Sequence, residues 1–389
     1  MKNGNLHSAK ENKEDEFYTE LTEIEKELVN YKDHFKNKTI LCNCDDPRAS
    51  NFFKYFALNF NYFGLKKLIS VCYKNQDFDL FSQNDCEKAV YVEYTGSKND
   101  HIPTNDELEL KELKGDGDFR SAECIELLKQ SDIVITNPPF SLFREYVAQL
   151  MQYEKKFLII GSQNAITYKE IFPLIAQNKM WLGYKAGDMH FKVPDYYAPR
   201  ATRFWIDENG QKWRSLGNIC WYTNLDITKR HEDLILYETY TPEKYPKYDN
   251  YDAINVNKVS EIPKDYDGVM GVPITFLDKY NPDQFEIVAF RKGNDGKDLV
   301  YSLVDNDSKQ ASKQASKQAS KQASKLRHTS EFLSRGNSRR CDSTNSEWQK
   351  HLSPCMYPSS TSIAGMIKNA EGKINGKITY ARITIRRKK

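Results

Sequence analysis

The sequence predicts an α/β protein: a mostly parallel sheet covered by helices on both faces, then a C-terminal region rich in strands and loops. Three observations carry this. Short apolar, β-branched runs alternate with segments of helical period, the pattern of strands joined by crossover helices. One such run, Ile133-Val134-Ile135, passes straight into the rigid loop Asn137-Pro138-Pro139-Phe140. Beyond about residue 180 the texture changes to aromatic, hairpin-like segments.

Taken in order, residues 1–15 are polar and read as disordered. Leu21, Ile24, Leu28 and Tyr31 recur at helical spacing. Residues 39–42 form a strand and 44–48 a loop. Residues 50–63 form a helix with Phe52, Phe53, Phe56 and Phe60 on one face. A second strand spans 68–73, and residues 74–114 are polar and irregular. A Gly-Asp-rich loop at 114–119 precedes a helix at 121–129 and the strand at 132–136. Ser141 is placed to cap a helix whose apolar face is Leu142, Phe143, Tyr146, Val147, Leu150 and Met151. A strand at 157–160 ends at Gly161. Residues 204–206 and 219–222, with a turn at 208–210, suggest a hairpin, and Tyr- and Pro-rich segments follow.

The chain of 389 residues accommodates two or three domains. Its 57 Lys+Arg and 54 Asp+Glu leave a net charge of +3, so any nucleic-acid surface must come from local patches. No apolar run reaches membrane-spanning length, and the charged N-terminus lacks a signal-peptide core. The eight cysteines include no Cys-x-x-Cys pair, which supports neither a disulfide framework nor a zinc site. The expectation is a cytoplasmic protein with reduced thiols and no metal.

The Asn-Pro-Pro-Phe loop has a chemical reading beside that of an ordinary turn. Each proline fixes its own φ and biases the residue before it away from helical geometry. The stiff loop presents the Asn137 carboxamide, the Pro138 carbonyl and the Phe140 ring to one flat nitrogenous group. An exocyclic amine of a nucleobase is a poor nucleophile because its lone pair is delocalised. Two acceptors taking its N–H hydrogens would pull the nitrogen toward tetrahedral geometry and stabilise the charge that develops on it. Phe140 would stack on the base. The electrophile matching this chemistry is the sulfonium methyl of S-adenosyl-L-methionine. Strand, loop and helix place the site at a strand's carboxyl end, where open α/β sheets bind ligands.

Further motifs accompany that loop: Asp15-Glu-Phe-Tyr-Thr19, Cys42-Asn-Cys-Asp-Asp-Pro-Arg48, Ser50-Asn-Phe-Phe-Lys-Tyr-Phe56, Gly115-Asp-Gly-Asp-Phe-Arg120, Gln163-Asn-Ala-Ile-Thr167, Cys220-Trp-Tyr-Thr-Asn224 and Gly271-Val-Pro-Ile-Thr-Phe276. With them the chain resembles the EcoRI-type DNA adenine-N6 methyltransferases, over roughly its first 300 residues and its last few. The resemblance implies a Rossmann-like methyltransferase domain and a C-terminal target-recognition region. It places Asn137, Pro138, Pro139 and Phe140 at the catalytic motif. Phe17, Tyr18 and Thr19 stand where the methionine part of the cofactor is held, and Asn43, Cys44, Asp45 and Asp46 at the first strand-loop. Asp118 and Phe119 stand at the loop that meets the cofactor's adenine ring. Where most methyltransferases carry a glycine-rich first loop, this chain has Cys-Asp-Asp-Pro. Asp45 and Asp46 therefore read either as a carboxylate grip on the cofactor or as charge complementing the helix dipole ahead of Ser50. No acidic residue closely follows the second strand; Asp77 and Asp79 are distant candidates for ribose. Trp221 and Tyr222 are candidates for walls of a flipped-base pocket or for packing within a core hairpin.

The expected organisation is a methyltransferase domain at 16–225, a target-recognition region at 226–304, a repeat linker at 305–330 and a completing segment at 331–389. The expected substrate is double-stranded DNA, with base flipping. A restriction endonuclease acting on the same site is a candidate partner, and no obligate protein partner is implied. Competing readings are a different acceptor (cytosine N4, an RNA base or a protein glutamine) and a non-catalytic DNA-binding protein on the same scaffold. Residues 377–385 alternate as a strand, and Arg386-Arg387-Lys388-Lys389 either reach phosphates or stay solvated. Ser308-Lys309-Gln310-Ala311 recurs in four copies through Ala323. A frayed basic linker is the reading at protein level. A tandem AGCA tract reads as Ser-Lys-Gln-Ala in every frame, which suggests a phase-variable gene.

Overall fold

The structure, a computed structural model, describes residues 18–73, 88–97, 101–193, 195, 197–291, 299–300 and 373–388. The N-terminal residues 1–15, Phe17, Asp77, Asp79, the repeat with its linker at 305–330 and Lys389 lie outside the described residues.

A ten-stranded sheet is built from β1 (Tyr18–Thr19), β2 (Thr39–Cys42), β3 (Lys67–Cys72), β4 (Val90–Tyr94), β5 (Lys111–Glu112), β6 (Ile133–Thr136), β7 (Lys156–Ser162), β8 (Trp181–Lys192), β9 (Phe204–Ile206) and β10 (Lys212–Thr223). Its spatial order is β1-β8-β10-β7-β6-β2-β3-β4-β5, with β9 paired to β10. Only β7, β6, β2 and β3 pair in parallel with one another, in register Ile40↔Leu68, Leu41↔Val134 and Val134↔Phe157. Every residue of β2 and β6 is buried, which is why these strands read as unbroken apolar runs.

The expected mostly parallel sheet is thus corrected to a mixed one. β4 and β5 add antiparallel strands on one side, and β10, β8 and β1 on the other. β4 lies in a stretch read as irregular, because its polar residues Tyr91, Glu93 and Tyr94 alternate with only two valines. The expected hairpin is present as β9–β10, but β10 also pairs with β7 and so belongs to the central sheet.

Helices cover this sheet: α1 (Leu21–Leu28), α2 (Asn51–Leu58), α3 (Ala122–Gln130), α4 (Phe143–Gln152) and α5 (Phe172–Ala176). Ser50 caps α2, its hydroxyl accepting from the Phe52 and Phe53 amides at 3.0 and 3.4 Å. The single helix expected over 50–63 is interrupted at Asn59, after which Phe60–Phe63 makes a separate turn. The expected Ser141 cap is also corrected. Phe140–Leu142 forms a 3-10 turn closed by Leu142 N donating to Pro139 O at 3.0 Å, so α4 starts at Phe143 without a side-chain cap.

A second sheet comprises β11 (Ile254–Asn255), β12 (Met270–Val272), β13 (Phe285–Arg291) and β14 (Leu299–Val300). Past a small hairpin, β15 (Lys373–Ile374) and β16 (Lys377–Ile378), it is joined by β17 (Arg382–Arg387). The order is β11-β12-β17-β13-β14, so the chain's last strand sits in the middle. The continuous strand expected over 377–385 is therefore split, and its buried part is Ile383, Thr384 and Ile385. Phe172 of α5 stacks on Phe290 of β13 with ring centroids 5.0 Å apart, and one apolar cluster runs from the central sheet into the second.

Cys42, Cys44, Cys124 and Cys220 are free thiols, but Cys72 is disulfide-bonded, which corrects the expectation of uniformly reduced thiols. Among the described residues, no helix is long and apolar enough to cross a membrane.

Candidate active site

The site lies where the topology turns. From β2 the chain proceeds to β3 on one side, while β6 and β7 lie on the other. The loops after β2 and β6 therefore meet at the carboxyl edge across this switch point, the place where such sheets bind ligands.

The loop after β2 is fastened from several sides. Asn43 is buried, and its carboxamide oxygen accepts a hydrogen bond from the Tyr146 hydroxyl of α4. Cys44 follows, half-buried, and burial pushes its thiol well up. The Asp45 carboxylate points inward, accepting from Ser50 Oγ at 2.7 Å and from Thr136 Oγ1 at 2.5 Å. Its backbone is tied to β3, with Asp45 N donating to Val71 O at 3.0 Å and Ser70 Oγ donating to Asp45 O at 2.6 Å. Burial pushes its carboxyl up to about 6, although both hydroxyls favour the charged form. Asp46 accepts from Arg48 Nε at 3.0 Å and Arg48 Nη2 at 2.9 Å. Both carboxylates are thus engaged by protein donors.

The loop after β6 begins at Asn137, half-buried, whose Nδ2 donates to Thr19 Oγ1 at 3.3 Å. Thr19 is presented by β1, which pairs with β8 in register Thr19↔Phe191, and its carbonyl accepts from Asn51 Nδ2 at 2.9 Å. Tyr18 contributes backbone to the same strand. Pro138 is buried, while Pro139 and Phe140 are half-buried.

The third wall is the segment before α3. Arg120 donates from Nε and Nη2 to Asp118 at 2.9 and 2.6 Å and holds its carboxyl below the usual range. Gly117 adopts φ +80°, and a Cβ there would come within 2.7 Å of the Cys72 carbonyl oxygen, so the turn requires glycine. Phe119 is buried edge-on against Tyr146, with centroids 5.0 Å apart. Gln149 Nε2 donates to Phe119 O at 3.0 Å. Helix α4 therefore grips two of the loops, through Tyr146 and Gln149.

Thr19, Asn43, Cys44, Asp45, Asp118, Phe119 and the Asn137 loop thus share one edge of the sheet. Trp221 and Tyr222 do not join them. Adjacent on β10, they face opposite sides of the sheet and are fully buried, Trp221 against Phe52 and Tyr222 against Phe143. Of the two readings open for them, core packing is the one the structure displays. Sequence reasoning missed Thr136, Ser50 and Ser70 around Asp45, and Tyr146 and Gln149 on α4. The signal for the last two was a polar pair at i,i+3 on an otherwise apolar helix face. The Asp45–Thr136 contact spans β2 and β6 and left no local signal.

Comparison with known proteins identifies the family. The family model for the adenine-specific methyltransferase EcoRI matches residues 5–388. The Type II methyltransferase M.EcoRI of Escherichia coli is 55% identical over 298 residues, 76% of this chain and 91% of its own length. M.MgeORF184P of Mycoplasma genitalium, also named a Type II methyltransferase, is 43% identical over 291 residues, 73% of this chain and 85% of its own. For M.MpnI of Mycoplasma pneumoniae, the figures are 39% over 289 residues, with 73% and 84% covered. No solved structure matches the chain.

Proposed function

The chain belongs to the adenine-specific EcoRI methyltransferase family, and from that premise we infer how its residues carry out methyl transfer to adenine in DNA. It is an adenine-specific Type II DNA methyltransferase. The acceptor in this reading is the N6 amine of an adenine flipped out of the duplex, as enzymes acting on a base require. Asn137 Oδ1 and the Pro138 carbonyl accept its two N–H hydrogens. Phe140 stacks on the ring, and the proton leaves after attack, so no strong base is needed beforehand.

The methyl donor in this reading is S-adenosyl-L-methionine. When bound, it supplies an electrophilic sulfonium methyl. The residues fit such a group: Asn43 Nδ2 is a buried donor with no hydrogen-bond partner among the described residues, at the lip of the loop after β2. Asp118, kept ionised by Arg120, adds an acceptor, and Phe119 backs the same wall. Asn43, Cys44, Asp118 and Phe119, with Phe17, Tyr18 and Thr19, would hold the donor. Asp45 and Asp46 would shape the loop beneath it. The fold reading that goes with this is Rossmann-like.

Residues 226–304 and 331–389 make up the target-recognition region in this reading, for double-stranded DNA in the cytoplasm. An endonuclease cutting the same site is the partner it implies.

One observation carries the reading: the Asn137-Pro138-Pro139-Phe140 loop stands beside the loop after β2 at the sheet's switch point, joined to it by the Thr136–Asp45 hydrogen bond. The test is single-turnover methyl transfer from S-adenosylmethionine to DNA of a methylation-deficient host, with Asn137→Ala alongside the natural chain. The variant should be slower by ~10²-fold or more, the scale for losing one transition-state hydrogen bond. A near-normal rate would remove the assigned role of the loop.

A further inference from the structure

We propose that Asp45 is a positioning residue for methyl transfer, holding the catalytic loop in place through Thr136. The proposal rests on the reading of Asn137 given above. Thr136 is the last residue of β6, fully buried, and the next residue is Asn137. Asp45 is the point where four elements are joined: its backbone is bonded to β3, one carboxylate oxygen to the Ser50 cap of α2, and the other to the end of β6. Through these bonds the position of the β2 loop is passed to the catalytic loop.

The direction of each bond follows from chemistry. A carboxylate only accepts, so both hydroxyls donate to it. Ser50 Oγ already accepts from the Phe52 and Phe53 amides, so its lone pairs are occupied by the helix cap. If Asp45 takes up a proton, its new O–H cannot turn to Ser50. It lies on the oxygen facing Thr136, whose hydroxyl then accepts where it had donated and has to turn its own hydrogen elsewhere. Protonation therefore exchanges a charge-assisted bond for a weaker neutral one at the residue that precedes Asn137, and leaves the helix cap intact.

The titration belongs to the range where this matters. Burial pushes the Asp45 carboxyl up to about 6, with neighbouring Asp46 raising it and the Thr136 and Ser50 hydroxyls lowering it. The other groups facing it, the Cys42 and Cys44 thiols and the Tyr146 phenol, are pushed upward by burial and stay neutral there. The sign for stability is the opposite of that for rate. A carboxyl whose folded pKa is raised binds its proton more readily folded than unfolded, so its contribution to stability grows as pH falls through about 6. Rate should decline in that window without loss of fold from this group.

Thr136→Val removes the donor with little change of shape, and Thr136→Ser keeps it. At saturating S-adenosylmethionine and DNA, the valine variant should be slower in single turnover by about 10-fold, and the serine variant close to the natural chain. Binding of S-adenosylhomocysteine should change by less than about twofold. The acid limb of the rate profile should move to higher pH in the valine variant, because the bond that most lowers the Asp45 pKa is gone. Should that variant fold poorly, Asp45→Asn gives a second test: its acid limb should disappear. A valine variant with the natural rate and an unmoved acid limb overturns the proposal. So does an affinity loss for S-adenosylhomocysteine equal to the rate loss, or an acid limb that follows unfolding. A slow Asn137→Ala beside a normal Thr136→Val sinks only the role of Asp45, whereas a fast Asn137→Ala sinks the reading of the loop itself.

Discussion

The two sheets are assembled in contrasting ways. In the ten-stranded sheet the parallel strands β2, β3, β6 and β7 lie within residues 39–162, and the loops that make the site follow two of them. In the five-stranded sheet the middle strand, β17, comes from the end of the chain, beyond the Ser-Lys-Gln-Ala repeat, and pairs with β12 on one side and β13 on the other. The first sheet carries the proposed catalytic residues in segments that precede the repeat. The second needs a segment that follows it. A break in the reading frame at the repeat would leave every proposed catalytic residue translated and remove the centre of the other sheet.

That contrast yields the largest expected effect. A stop codon at Leu326 deletes β17, whose Ile383 and Ile385 are fully buried. Burial of each such side chain contributes about 1.5–3 kcal/mol, and β12 and β13 would lose their shared ladder partner as well. The truncated chain should protect no DNA from methylation-sensitive cleavage, while full-length protein protects it. Retained methylation would show that the sheets are independent. The genetic counterpart is read directly: an uninterrupted AGCA tract whose length varies between isolates sustains phase variation, and varied synonymous codons across the repeat remove it.

What the sequence disclosed follows the same division. The strand at 133–136, the loop after it and the aromatic face of the helix after Ser50 were legible because their signals are local: a buried apolar run, two prolines and phenylalanines at helical spacing. The Asn137 loop could be found from its own residues. The antiparallel flanks were less legible, since β4 carries alternating polar residues and β8 runs for twelve residues through glycines and charges. Asp45 illustrates the limit most clearly. Its spacing suggested a ligand grip or a helix-dipole partner, and neither pattern encodes a bond to Thr136, 91 residues away. Trp221 and Tyr222 were left open for a related reason: adjacent aromatics on a strand face opposite sides, and only the packing of Phe52 on Trp221 and of Phe143 on Tyr222 shows that both sides are covered.

A smaller effect sharpens the comparison within the catalytic sheet. Gly161 on β7 lies under Phe143, the first residue of α4, and a Cβ there would come within 2.5 Å of the Phe143 ring and 3.0 Å of the Tyr222 ring. Both rings are fully packed, so neither yields easily. Gly161→Ala should destabilise the chain by about 1–3 kcal/mol, the usual cost of overpacking, as measured by urea unfolding. Because α4 holds the Asn43 and Phe119 loops, methyl transfer should fall along with stability. An unchanged midpoint would mean that the helix is free to shift, and that the site is less firmly built than the hydrogen bonds suggest.

The smallest effect concerns the basic end of β17. Its sequence invited a role in gripping phosphates, but Arg386 Nη1 lies 3.2 Å from Glu286 Oε1, its cross-strand neighbour on β13. Arg387 donates to the Lys264 carbonyl. Both guanidinium groups therefore have partners within the second sheet. The Arg386–Glu286 pair is partly exposed, so its loss should cost no more than about 1 kcal/mol. Arg386→Gln should accordingly shift unfolding only slightly. In DNA binding it should leave the slope of log K against log salt unchanged, since a cation already paired with Glu286 releases no counterion from a phosphate. A slope flatter by ~1 would show that Arg386 leaves Glu286 for the DNA backbone. The middle strand would then both close the second sheet and touch the substrate, and loss of the segment after the repeat would remove two functions at once.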